Sequence, residues 1–201
     1  MGQTRQDCAA PAPNLAALEF LLTRRSRPAR TLVPPVPDRA ALSAILTAGG
    51  RCPDHGKLEP WRFIVLERKA LLRLAGLVVR CAARLGLDAD ATDKMRCQFA
   101  DSHLAVVVVS SPKPSEKVPE IEQHLSAGAV CLSILNATLA SGWGANWLTG
   151  WPAFDRTFLQ EGLRLGSGEF VAGFIYIGTG TTVPPERPRP DIEAITEWVA
   201  E

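Results

Sequence analysis

Apolar positions along the chain recur at two periods, and the changes between them mark out the elements. Leu15, Leu18, Leu21 and Leu22 recur at helical spacing behind Asn14, a good N-cap, and the pattern stops at Arg24-Arg25-Ser26. This predicts a first amphipathic helix that delivers two arginines at its end. Four prolines between Pro28 and Pro37 predict an extended loop. Asp38 then caps a second helix with Leu42, Ile45 and Leu46 inward and Gly49-Gly50 as its stop. The loop Arg51-Cys52-Pro53-Asp54-His55-Gly56 follows.

Residues 61–66 (WRFIVL) form a short β-rich run, the first predicted strand, and helical patterns follow over 69–85 and 89–100. Residues 104–110 (LAVVVVS) predict a central strand, because four consecutive valines favour extended backbone and leave no polar face for solvent. Over 119–141, Ile121, Leu125, Ala129, Leu132, Leu135 and Leu139 form one long pattern rich in small residues, which predicts a core helix. A strand over 145–148, a short helix over 154–161, a buried strand over 169–177 (EFVAGFIYI) and a final short helix near 191–199 complete the pattern. No repeat and no linker divides the chain. The expectation is one α+β domain over 14–201 behind a polar tail, 1–13, expected to be disordered.

Composition narrows the partners. A chain of 201 residues hides roughly 70% of its unfolded surface on folding, enough for a real core. Lys and Arg number 22 against 21 Asp and Glu, so the net charge of +1 supplies no long-range field for nucleic acid or an anionic membrane. The five cysteines are odd in number and form no C-x-x-C pair, which argues against disulfides or zinc and suits a reducing cytoplasm. His55, His103 and His124 lie outside helical reach of one another, so no metal site is expected. Neither an export signal nor a membrane span is expected, since no long apolar run occurs.

Three segments carry candidate chemistry. Arg24-Arg25-Ser26 offers two guanidinium forks and a hydroxyl, which suits a phosphate; the same cations also compensate the dipole at a helix C-terminus. Arg51, Asp54, His55 and Glu59 sit on a Pro-braced loop before a strand, a place for chemistry or for a plain turn closed by an Asp–His hydrogen bond. The run 141–150 (SGWGANWLTG) lacks the third glycine of a dinucleotide fingerprint and follows a helix instead of opening one, so a Rossmann reading fails. Its glycines present bare backbone N–H groups to a flat ligand, or cap a helix and make a tight turn.

In their order these pieces resemble the nitroreductase family, particularly its small single-domain branch, over about 15–201. The resemblance rests on Arg24-Arg25-Ser26, on Arg51-x-Pro53-Asp54-His55 leading to Pro60-Trp61, and on Lys117-Val118-Pro119. Ser126-Ala127-Gly128, Trp147-x-Thr149-Gly150 and the run from Gly173 to Gly178 add to it. It implies a mostly antiparallel central sheet flanked by helices, in an intertwined homodimer whose active site is shared between subunits. FMN is the implied cofactor, with Arg24, Arg25 and Ser26 contacting it and Arg51 and His55 reaching it from the partner chain. Trp147, Leu148 and Thr149 would line the ring, the backbone around Thr149 and Gly150 would address its N5, and Arg187 and Arg189 would add cations at the phosphate.

The implied activity takes hydride from NAD(P)H and reduces nitro compounds, quinones or similar flat acceptors in two half-reactions, with no side-chain nucleophile. Residues 136–141 would lie near the nicotinamide. A specialised flavin enzyme acting on a dedicated metabolite and a non-catalytic dimeric FMN-binding protein are the alternatives. Two positions depart from the family pattern: Glu59 stands where relatives commonly have Gln, and Leu148 where close relatives often have Arg. Asp54-His55, in place of Ser and a later Asn, marks the smaller branch.

Overall fold

The computed structural model describes residues 12–201, so the tail expected over 1–13 lies outside it but for Ala12 and Pro13. Asn14 starts α1 (Leu15–Thr23) by accepting a hydrogen bond from the Ala17 N–H at 3.0 Å. Arg24 ends the helix with extended backbone (φ −56°, ψ 142°), so the arginine pair leaves α1 along a straight segment. Asp38, Asp88 and Asp155 cap α2 (Arg39–Gly49), α4 (Ala89–Ala100) and α6 (Arg156–Leu163) in the same way. α3 (Arg68–Leu85) stops at Gly86 in the left-handed conformation. α5 (Glu120–Ala140) is the longest helix described.

The strands are β1 (Leu32–Val33), β2 (Trp61–Glu67), β3 (Leu104–Ser110), β4 (Gly144–Leu148) and β5 (Phe170–Gly180). Every pairing is antiparallel, as expected: β2 with β3, and β3, β4 and β1 each with β5. The alternation of a strand divides the apolar run of β3 between two layers. Ala105, Val107 and Val109 face Leu71, Leu74, Phe99 and Phe158 of α3, α4 and α6. Leu104, Val106 and Val108 face Leu42, Ile45, Val130 and Ile134 of α2 and α5. Both sides of β3 are covered, which is why the run carries no polar residue until Ser110.

Several expectations need correction. The Pro-rich stretch 28–37 contains β1, too short at two residues to show any period. The helix expected over 154–161 begins two residues later, where Asp155 caps it. Half of the stripe expected to bury α5 points outward: Ile121, Leu125 and Leu132 are exposed, Ala129 and Leu139 are half-buried, and Leu135 is buried as expected. The buried face is Ala127, Val130, Cys131, Ile134 and Thr138, because a helix apolar on several sides offers two stripes and the smaller side chains fit against the sheet. Residues 191–199 form a turn, not a helix, with Ile192, Ile195 and Trp198 exposed. A short segment with nothing to pack against gains nothing to offset the cost of helix nucleation. Leu15, Leu18, Leu21 and Leu22 of α1 are likewise more than half exposed. Among the described residues, no helix is long and apolar enough to cross a membrane.

Candidate functional site

The segment leaving α1 is stitched to β4 by two bonds, from the Arg27 N–H to Ala145 O (2.8 Å) and from Asn146 Nδ2 to Arg27 O (2.8 Å). This sets Arg24, Arg25 and Ser26 beside Trp147 and Leu148, and a cavity of about 910 Å³ opens between them. The tail after β5 closes it from the other side with Arg187 and Arg189. Seven of the eleven residues expected at the site therefore share one cavity.

Their charges are not equally spent. Arg25 pairs with Glu186 at 3.1 Å, and Arg189 reaches the same carboxylate at 3.3 Å. The backbone N–H of Arg187, and after it Arg25 and Arg189, hold the Glu186 carboxyl below the ordinary carboxylate range. Arg24 has no carboxylate partner among the described residues; its Nη2 donates to Ser26 Oγ at 3.4 Å and its Nε is buried with no partner. A buried guanidinium N–H left unpaired is costly, and an anion between Arg24 and Ser26 relieves it. Two forks, a hydroxyl and a spare buried donor fit a phosphate monoester.

The flat wall is built by close packing. Trp147 lies over Gly173, where a Cβ would come 2.1 Å from Trp147 Nε1, and the indole donates to Ala172 O at 3.3 Å. Gly150 has φ 113°, and a Cβ there would meet Met95 Sδ at 2.6 Å, so the turn after β4 needs its glycine on two counts. Gln98 of α4 donates to Thr149 O (3.3 Å) and to the buried Tyr176 Oη (3.1 Å), fixing that turn to the core. Thr149 and Gly150 continue from Leu148 but are not part of the cavity wall.

Arg51 and His55 stand elsewhere. Their loop is tied to the start of α5 through Ser126 Oγ to Pro53 O (2.8 Å) and His55 Nδ1 to Glu122 Oε2 (2.7 Å). Asp54 accepts from the backbone N–H groups of Leu58 (3.1 Å) and Glu59 (2.8 Å), so the Asp–His turn bond does not form. Those bonds hold Lys57 and Glu59 at φ 54° and 48°, a strained region for residues with side chains. Leu139, near the far end of α5, borders a second pocket of about 550 Å³ that Arg24 also lines. Thirteen helical residues separate Ser126 from Leu139, a rise of about 20 Å at 1.5 Å per residue. Within one chain the His55 loop and the Arg24 cavity thus lie toward opposite ends of α5.

Residues 21–179 match the family model described as "Nitroreductase family". The chain belongs to the nitroreductase family. It is 34% identical over 163 residues to an Escherichia coli relative named "Putative NAD(P)H nitroreductase YdjA", covering 81% of this chain and 87% of the relative. A nitroreductase-like family protein from Bacillus cereus has a similar fold, with a TM-score of 0.77, 20% identity and 96% of this chain and all of the other covered. A Desulfovibrio desulfuricans structure in complex with FMN superposes with a TM-score of 0.71 at 21% identity, covering 94% of this chain and 100% of that one.

This nitroreductase-family chain also uses residues that sequence reading missed. Asn146 and Gln98 are polar interruptions in apolar settings, a signal that was there to be read. Glu122 and Glu186 carried none, since each is defined by an arginine or histidine distant in sequence.

Proposed function

We propose that the protein is an FMN-dependent oxidoreductase that takes hydride from NAD(P)H and reduces flat organic acceptors such as nitro compounds and quinones, donor and acceptor using one site in turn. The observation that carries this reading is Arg24: a guanidinium with a buried, unpartnered Nε, beside a serine hydroxyl, on a cavity walled by tryptophan. The name of the Escherichia coli relative and the FMN of the Desulfovibrio desulfuricans neighbour support it. FMN, when bound, supplies a ring that accepts hydride from a reduced nicotinamide and passes electrons on.

In this reading Arg24, Arg25 and Ser26 hold the phosphate with Arg187 and Arg189. Trp147 and Leu148 wall the ring, and the backbone of Thr149 and Gly150, braced by Gln98, faces its reactive edge. Arg51 or His55 supplies charge to the flavin from a second chain, a placement that the separation along α5 supports. The bare leucines of α1 and the outward Ile121 and Leu125 of α5 are the kind of apolar surface that a homodimer covers.

Bleaching tests the proposal. Purified protein loaded with FMN should lose its oxidised flavin spectrum when NADH or NADPH is added anaerobically, and regain it when a quinone or nitroarene follows. A spectrum that stays oxidised with either nicotinamide overturns the reductase reading in favour of an FMN-binding protein.

A further inference from the structure

One carboxylate oxygen gathers two donors and a further cation at the mouth of the arginine cavity. Glu186 Oε1 accepts from Arg25 Nη1 (3.1 Å) and from the Arg187 backbone N–H (3.0 Å), and pairs ionically with Arg189 Nη2 at 3.3 Å. Guanidinium forks and a backbone N–H converging on one anionic oxygen are what a bound phosphate oxygen receives. The carboxylate comes from the strap 184–190, in which four of seven residues are proline, so the backbone offers few N–H groups of its own and stays extended. Arg189 secures the strap further by donating to Leu22 O, the last turn of α1, at 2.8 Å.

Two anions cannot share these donors without repelling each other. Arg25 and Arg189 are both assigned above to the phosphate, yet in this structure both serve Glu186. We propose that Glu186 is an internal occupant of the phosphate cradle, holding Arg25 and Arg189 in the cofactor-free chain and yielding them when the FMN phosphate enters. The inference rests on the FMN reading above. Glu186 is 67% exposed, so its departure uncovers no core and the strap swings without unfolding β5.

Removing the charge therefore removes a competitor, and only a ligand that carries a phosphate gains. FMN and riboflavin share one ring and differ in that group. Flavin-free wild-type protein and the Glu186→Gln variant are titrated with each flavin at low salt, following flavin fluorescence. FMN is expected to bind about three- to tenfold tighter to the variant, the range for releasing exposed ion pairs, with riboflavin affinity unchanged. Inorganic phosphate should likewise raise the melting temperature of the flavin-free variant at lower concentration than it does for wild type.

Unchanged or weaker FMN binding by Glu186→Gln overturns the inference, because Glu186 then orients the arginines instead of competing with the phosphate. Equal tightening of riboflavin overturns it too, since the effect would not lie at the phosphate. Wild-type protein that binds neither flavin sinks the FMN reading itself. The phosphate melting curves still report on Glu186 in that case, and identical curves for the two proteins reject its competition with an anion.

Discussion

Gly173 and Trp147 share one space: the indole of β4 occupies the volume in which a side chain at position 173 of β5 would stand, 2.1 Å from Nε1. Gly173→Ala should drive Trp147 out of its place against the sheet. Overpacking of this kind costs about 1–3 kcal/mol. Urea unfolding should show the lower midpoint, with FMN affinity reduced alongside; an unaltered midpoint and tryptophan emission spectrum mean that the indole is not pinned by the glycine.

Arg24→Ala should release the cofactor while the fold survives, because among the described residues the guanidinium meets no carboxylate and makes only a long bond to Ser26. Losing a hydrogen bond to a charged group costs about 1.5–3 kcal/mol, or roughly a 10- to 150-fold weaker FMN affinity. Equilibrium titration of the flavin-free variant measures it. An unchanged affinity returns the arginine pair to the lesser role of balancing the α1 dipole.

Arg24→Ala and His55→Ala should each be inactive as homodimers, yet a mixture unfolded and reassociated at equal concentration should recover. Random pairing makes about half the dimers mixed, and in each of those one of the two sites collects an intact Arg24 and an intact His55. Activity of about a quarter of the wild-type value is expected in a standard NAD(P)H oxidation assay. Activity that stays at the level of the parents places both residues on the same chain's flavin.

The Arg62 guanidinium donates through Nε and Nη2 to both oxygens of Glu169, at 2.7 and 2.8 Å, clamping β2 to the entry of β5. These bonds, assisted by the Gly166 N–H and opposed by desolvation, hold the Glu169 carboxyl down to about 2 from an ordinary 4.5. The folded value lies below the unfolded one, so the stabilisation is present above about pH 4.5 and drains away as pH falls toward 2. Arg62 is partly exposed and water screens the pair, so its worth is on the order of 1 kcal/mol. Urea midpoints of wild type and Glu169→Gln should differ by that amount at pH 7 and converge in acid; a gap that persists at pH 2 assigns the loss to packing.

The helix and strand positions were legible because their periods are local, and Asn14 and Asp38 mark two helix starts within one residue. What each apolar stripe covers was not. Leu125 and Val130 are both apolar members of α5, and only the surface facing the helix makes one exposed and the other buried. Ile192, Ile195 and Trp198 read as a helix face for the same reason, although nothing among the described residues packs opposite them. At the candidate site, Arg24, Arg25, Ser26, Trp147 and Leu148 were marked by motif text, and the cavity brings them together with Arg187 and Arg189. Gln98 and Glu186 escaped because their partners arrive from 51 and 161 positions away, a proximity that only the folded sheet creates.

The length of α5 has a consequence for quantity as well as geometry. If the site is shared as proposed, a rod with the Arg24 cavity toward one end and the His55 loop toward the other gives a lone chain two half-sites and no whole one. Under the proposed shared site, dilution then acts as an off switch. Well below the dissociation constant of the dimer the paired fraction rises in proportion to concentration, and turnover per chain rises with it. On that reading a cell that makes a few copies would hold latent halves and one that makes many would hold working enzyme, with no effector or modification needed to tell the two states apart.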